Sequence, residues 1–249
     1  MDDDQVQLTA RLADFAEVPH GARVLDVGCG LGGSALWLAR HRDCRVTAIT
    51  LSPIQVWMAT RRARVEGLGE RVRFRRHDAN HLRLPQSFDV AWIVECSEHL
   101  EDKGGFIASC ARLLEPGGRI ALCAWVASGD PDCAEHSRLV EEVCHGMLCP
   151  SLARAAEYAD WLRASGLEAI QAEDITRHVS RTWIFCERIA SRPIVRLGRL
   201  LLGKRTRDFV QSFGTIQRAY AVGAMAYWMF TARKPDQTEN ADCHVAPLG

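Results

Sequence analysis

Between residues 22 and 127, short unbroken apolar runs alternate with longer stretches whose apolar residues recur every three or four positions. The first rhythm suits strands buried on both faces, and the second suits amphipathic helices. Residues 2–17 carry Val6, Leu8, Leu12, Phe15 and Ala16 among polar neighbours, which predicts a helix broken by Pro19-His20-Gly21. Strands are predicted at Arg23–Val27, Arg45–Thr50, Val72–Arg75, Phe88–Val94 and Arg119–Val126. Between them, helices are predicted at Leu31–Arg42, at Pro53–Gly67 with proline in its first turn, and at Lys103–Leu114, stopping before Pro116-Gly117-Gly118. Strand alternating with helix implies an α/β fold, a parallel sheet covered on both faces with right-handed crossovers.

The texture changes after residue 130. Asp132–Met147, Leu152–Ser165, Ser180–Gly203 and Lys204–Val222 read as helices. Leu167–Ile175 reads as a sixth strand, and the apolar, aromatic Met225–Ala232 ends at Lys234-Pro235. One domain over residues 1–235 is expected, with a helical cap at 132–165 and 180–222 forming a pocket for a substrate. Residues 236–249 have no periodicity and are expected to be disordered.

Composition excludes several classes. The chain has 249 residues, 47% of them hydrophobic, enough for a large core, with 31 Lys+Arg against 31 Asp+Glu. A balanced charge gives no electrostatic reason to expect nucleic acid. Met1-Asp2-Asp3-Asp4 shows no export signal, and the longest apolar run, Ala219–Phe230, is too short to span a bilayer. The ten cysteines are scattered among mostly apolar neighbours, as in a reduced, cytoplasmic protein. Cys133, His136, Cys144, His145 and Cys149 lack metal-ligand spacing, so no metal is expected.

The informative segment is Val24-Leu25-Asp26-Val27-Gly28-Cys29-Gly30-Leu31-Gly32-Gly33. A strand delivers the chain to a turn without side chains, where backbone approaches a ligand and a helix begins. Gly28, Gly30 and Gly33 also fit the dinucleotide fingerprint, which makes an NAD(P)-dependent oxidoreductase the alternative reading. Thr50 stands where a ribose-binding acid is usual, which weakens both nucleotide readings. Asp26 separates them, because a carboxylate two residues before the first glycine repels a pyrophosphate and attracts the ammonium and sulfonium of S-adenosylmethionine (SAM).

VLDVGCGLGG resembles the first motif of class I SAM-dependent methyltransferases. VTAITLSPIQ resembles the matching segment of the tocopherol methyltransferase-like subgroup, in which threonine replaces the acid. RRHDANHLRLPQSFDVAW, ECSEHLEDKGGFIASCARLLEPGGRIALCAW and EVCHGMLCPSLARAAEYADWLRASGLEAI continue the likeness in order, so that it covers about Ala22 to Ala232. The resemblance implies a Rossmann-like seven-stranded mixed sheet whose last strand is antiparallel. It implies that Asp26, Gly28 and Gly30 line the methionine part of SAM, within a loop that also holds Cys29 and Gly32. Thr50, Leu51 and Gln55 would lie near the ribose, Asp78 and Ala79 at the adenine, and Glu95 under the sulfonium.

Glu98-His99 follows the fourth strand, where the active sites of open α/β sheets lie. In related natural-product methyltransferases a histidine in a similar segment acts as base, so His99 is the catalytic candidate and Glu98 its orienter or an acceptor contact. Asp102 and Lys103 are expected to cap and charge the next helix. Trp125, Trp161, Trp183, Phe185 and Trp228 are candidates for an apolar pocket wall, with plain core packing as the competing reading of each, while Trp37 and Trp57 read as core. Arg192, Arg196, Arg199, Lys204 and Arg205 among apolar residues make a basic amphipathic stretch, read as a solvated helix face over the pocket, with peripheral membrane contact as the alternative. The expected activity is methyl transfer to oxygen, carbon or nitrogen of a small, largely apolar molecule in secondary metabolism.

Overall fold

The computed structural model describes residues 3–180 and 204–236. The expectations for 181–203, including Trp183, Phe185, Arg192, Arg196 and Arg199, and for the tail after 236, lie outside the described residues. The elements run α1 (Asp3–Phe15), β1 (Arg23–Val27), α2 (Gly33–His41), β2 (Arg45–Thr50), α3 (Pro53–Val65), β3 (Val72–Arg76), β4 (Phe88–Val94), α4 (Lys103–Arg112), β5 (Leu114–Ala127), α5 (Ala134–Met147), α6 (Ala155–Ala164), β6 (Glu168–Asp174), α7 (Lys204–Ala221) and β7 (Met225–Arg233).

The strands form one seven-stranded sheet in the order β3-β2-β1-β4-β5-β7-β6. β1 to β5 pair in parallel, and β7 runs antiparallel between β5 and β6. β1 is buried along all but its first residue, which is why it reads as an unbroken apolar run. Alternation divides its side chains between two cores. Val24 packs with α1, α2, α5 and α7 on one face, and Leu25 and Val27 pack with α4 and α6 on the other. The segment 132–165, expected to form one insertion, is thereby divided: α5 lies against α7, while α6 joins α4 and β6.

β5 begins earlier than its composition predicts. It runs back through Pro116-Gly117-Gly118, with a register shift opposite Phe88 and Val90. Gly117 N–H donates to Lys234 O, and Lys234 N–H to Gly118 O. The chain beyond β7 thus supplies the pairing that a Pro-Gly-Gly sequence does not favour locally, and left-handed Gly117 takes up the irregularity.

Candidate functional site

Alternation along β1 points Asp26 to the face that carries α1 and α2, and its position near the strand's end sets it under the glycine loop. Gly28 N–H and Cys29 N–H both donate to Ile49 O at 3.0 Å, which ties the loop to the end of β2. Gly28 and Gly32 have φ of +78°, and each is packed against a neighbour. A Cβ on Gly28 would lie 2.6 Å from Cys96 Sγ, and one on Gly32 would lie 2.5 Å from the Phe74 ring. At Gly30 a Cβ would meet nothing within 4 Å. The first two glycines let the loop fold against the protein, and the third leaves its outer side open to a ligand.

Above this loop lies a cavity of about 660 Å³, within the range of roughly 300–1,000 Å³ usual for small-molecule sites. Asp26, Gly28, Cys29 and Gly30 line it, with Val94 and Glu95 from the end of β4. Leu8, Thr9 and Arg11 of α1, Ile175, His178 and Tyr227 complete much of the wall.

Asp26 is 3% exposed. Ala35 N–H is its hydrogen-bond donor, and its Oδ2 has no partner among the described residues. Desolvation pushes its carboxyl up to about 7. An ionised carboxylate there is costly unless a cation meets it. A donor-rich cation beside an open glycine is what this end of the cavity fits, and the ammonium of SAM is such a group.

Glu95 has φ of +51°, a strained conformation for a side chain of its size. It is exposed to solvent at the cavity's edge, where it lines the wall. Desolvation raises its pKa, and the buried Tyr227 hydroxyl offsets part of that rise from close by, without a well-formed hydrogen bond.

The remaining sequence-predicted residues stand outside this cavity's wall. Thr50 Oγ1 donates to Gln55 Oε1 at 2.7 Å, and the adjoining Leu51 is exposed. Asp78 Oδ1 accepts from Asn80 N–H at 2.9 Å, forming a turn that starts at Ala79, and its Oδ2 faces His81. His77 N–H donates to Thr50 O at 3.1 Å, so the two segments adjoin at the ends of β2 and β3. Glu98 is buried: its Oε1 accepts from Trp125 N–H at 2.7 Å, and Ser97 Oγ donates to its Oε2 at 3.4 Å. His99 is exposed, with Nδ1 3.5 Å from Leu148 O and 3.6 Å from Cys149 Sγ. Asp102 caps α4 through Gly105 N–H, as expected. Lys103, expected to charge that helix, is instead buried and donates to Leu100 O, because the loop at Ser151 closes over it.

For three tryptophans the core reading prevails over the pocket-wall one, and a fourth is misplaced by the sequence. Trp125, Trp161 and Trp228 belong to the two cores and do not line the cavity. Trp57, expected in the core, is 63% exposed, because the inner face of α3 is made by small Ala59 and Ala63. The cavity's aromatic group is Tyr227, which sequence reasoning missed because it reads as one more apolar strand residue. His178 and the α1 residues were missed too, for only the fold brings them to the glycine loop. Among the described residues no cluster of metal ligands occurs, no helix is long and apolar enough to cross a membrane, and the eight cysteines are free.

Comparisons with known proteins give the family. Residues 25–122 match a family model described as a methyltransferase domain. Over 238 residues the chain is 33% identical to 27-O-demethylrifamycin SV methyltransferase of Amycolatopsis mediterranei (strain S699), covering 95% of this chain and 86% of that one. The chain belongs to the class I SAM-dependent methyltransferases. This methyltransferase is also 28% identical to a probable chloroplastic tocopherol O-methyltransferase of Oryza sativa subsp. japonica, over 94% of this chain and 68% of that one. Its structure resembles that of the [4+2]-cyclase SpnF, with a TM-score of 0.74 and 27% identity over 93% of this chain and 81% of that one. A geranyl diphosphate methyltransferase in complex with SAM shares the fold, with a TM-score of 0.75 and 23% identity over 92% of this chain and 85% of that one. The enzyme methylates small molecules with SAM, and the oxidoreductase alternative finds no support.

Proposed function

We propose that this methyltransferase acts on a small, largely apolar acceptor at oxygen, carbon or nitrogen, in secondary metabolism. The observation that carries the reading is the buried, unpartnered oxygen of Asp26 in a cavity whose further wall holds Glu95 and Tyr227. When bound, SAM supplies an electrophilic methyl group on a sulfonium. Asp26 holds its ammonium, the loop from Gly28 through Cys29 and Gly30 to Gly32 follows the methionine portion, Thr50, Leu51 and Gln55 meet the ribose, and Asp78 and Ala79 meet the adenine. Leu8, Val94, Ile175 and Val179 give the acceptor an apolar wall. Excluding water there strengthens the charges that face the sulfonium and orients the nucleophile in line.

Two residues compete for the proton of the acceptor. His99, with Glu98 beneath it, is the reading from the sequence. A second reading favours Glu95, because it faces the cavity and His99 does not line it. Glu95, with the Tyr227 hydroxyl close by, would take a proton or stabilise positive charge at the reacting atom. His99→Ala and Glu95→Gln separate the two: the true acceptor loses about 10²–10⁴-fold in kcat with little change in SAM affinity. The acceptor class is tested by incubating enzyme and methyl-labelled SAM with a metabolite extract. Label in an apolar product supports the proposal, and label only in a strongly polar one overturns it.

The relatives' names bear on the acceptor's chemistry. A rifamycin and a tocopherol are named for two of them, and a terpenoid diphosphate for a third.

A further inference from the structure

The outward face of α3 is inverted. A helix that packs on a sheet normally turns polar residues to water. Here Ile54, Trp57, Met58 and Val65, which recur at helical spacing, are 68%, 63%, 43% and 81% exposed. The inner face is made by Ala59 and Ala63, so none of the four large side chains is needed by the core. Arg61 and Arg64 sit in the same stripe, and neither forms an ion pair among the described residues. Glu66, the acid that directly follows the helix, is taken by Arg62 and Arg40 at 2.7 Å each. The stripe is therefore apolar and uncompensated in positive charge. It also borders the active-site cavity, since Arg62 and half-exposed Leu31 line that cavity.

We propose that α3 is a docking face for an anionic lipid bilayer. Trp57, Ile54 and Val65 would enter the headgroup region while Arg61 and Arg64 meet lipid phosphates, the arrangement of interfacial amphipathic helices. A second copy of this chain fits less well, because a two-fold pairing of the stripe would set these arginines against each other without a carboxylate between them. The purpose assigned to docking rests on the reading of an apolar acceptor: membrane contact would bring the cavity's edge to where such a molecule dissolves. The binding itself does not depend on that reading.

The test is co-sedimentation of the full-length chain with vesicles of phosphatidylglycerol and phosphatidylcholine, without SAM or acceptor. Binding is expected at low salt, is lost at high salt and is absent with phosphatidylcholine alone. Arg61→Glu/Arg64→Glu should weaken partition by about 25-fold or more, at about fivefold per arginine removed. Ile54→Ser/Trp57→Ser should weaken it comparably with an unchanged circular dichroism spectrum, whereas Val222→Ser, on an exposed site away from α3, should not. Three results overturn the proposal: no binding of folded protein at low salt; binding that both double variants retain; or a Trp57-dependent dimer, or a Trp57-dependent complex with an acidic carrier protein, in place of vesicle binding. Vesicle binding with a polar methylated product would leave the docking face standing and remove only the purpose assigned to it.

Discussion

Asp26 and Glu98 are both buried carboxylates, 3% and 1% exposed, and desolvation pushes them up to about 7 and about 8. By burial and titration alone they are the same kind of group. They differ in what their oxygens face. Glu98 is held by Trp125 N–H and Ser97 Oγ, and it closes the turn between β4 and α4. Asp26 leaves Oδ2 without a partner beside an open cavity. A perturbed carboxylate marks a ligand site when the protein leaves it incomplete, and marks architecture when the protein satisfies it.

The sharpest way to break this comparison is to neutralise each carboxylate in turn. Asp26→Asn should weaken SAM binding by 10²-fold or more, measured by calorimetry, because the ligand's ammonium loses its buried counter-charge. Glu98→Gln keeps an oxygen for Trp125 N–H and should leave SAM affinity within about threefold. If Glu98→Gln abolishes turnover in a folded enzyme, Glu98 belongs to the chemistry after all.

Stability should move the opposite way. The folded-state value of Asp26 lies above its ordinary 3.8, so folding takes up a proton between those values. The apoprotein therefore loses stability as pH rises from about 4 to about 7. Asp26→Asn should remove that loss and stabilise the apoprotein at pH 8 by at most about 4 kcal/mol, with the gain fading below pH 4, as urea melts would register. Glu98→Ala, which orphans Trp125 N–H, should instead cost about 1–3 kcal/mol.

A smaller effect sharpens the role of charge. The ammonium binds the ionised form of Asp26, so SAM affinity should fall about tenfold per pH unit below about 7 and level off above it. Asp26→Asn should flatten that profile. A wild-type profile flat from pH 5 to 8 would remove Asp26 from cofactor binding. The mildest test concerns the loop. Gly32→Ala is strained at φ +78° and collides with Phe74, and should cost about 1–3 kcal/mol in urea melts.

The alternation of β1 to β5 with their helices was readable because a parallel sheet buried on both faces writes apolar runs into the chain. Arg23–Val27, Arg45–Thr50 and Phe88–Val94 carry the same limits in the pattern and in the fold. The start of β5 was not readable, since Pro116-Gly117-Gly118 looks like a break until Lys234 pairs with it. Trp57 was misplaced because large apolar residues usually point inward, and nothing local says that Ala59 and Ala63 already fill that side.

By itself the sequence determined the α/β alternation, the family and the glycine loop with Asp26 at its base, because strand periodicity, glycine backbone freedom and the charge beside the loop are local properties. Only the tertiary structure decided that Asp26 is incomplete while Glu98 is complete, that Tyr227 and His178 come to the cavity from the far end of the chain, and that α3 turns its apolar side outward. Those are matters of which surfaces meet, and partners separated by a hundred residues or more are fixed by packing that no short window contains.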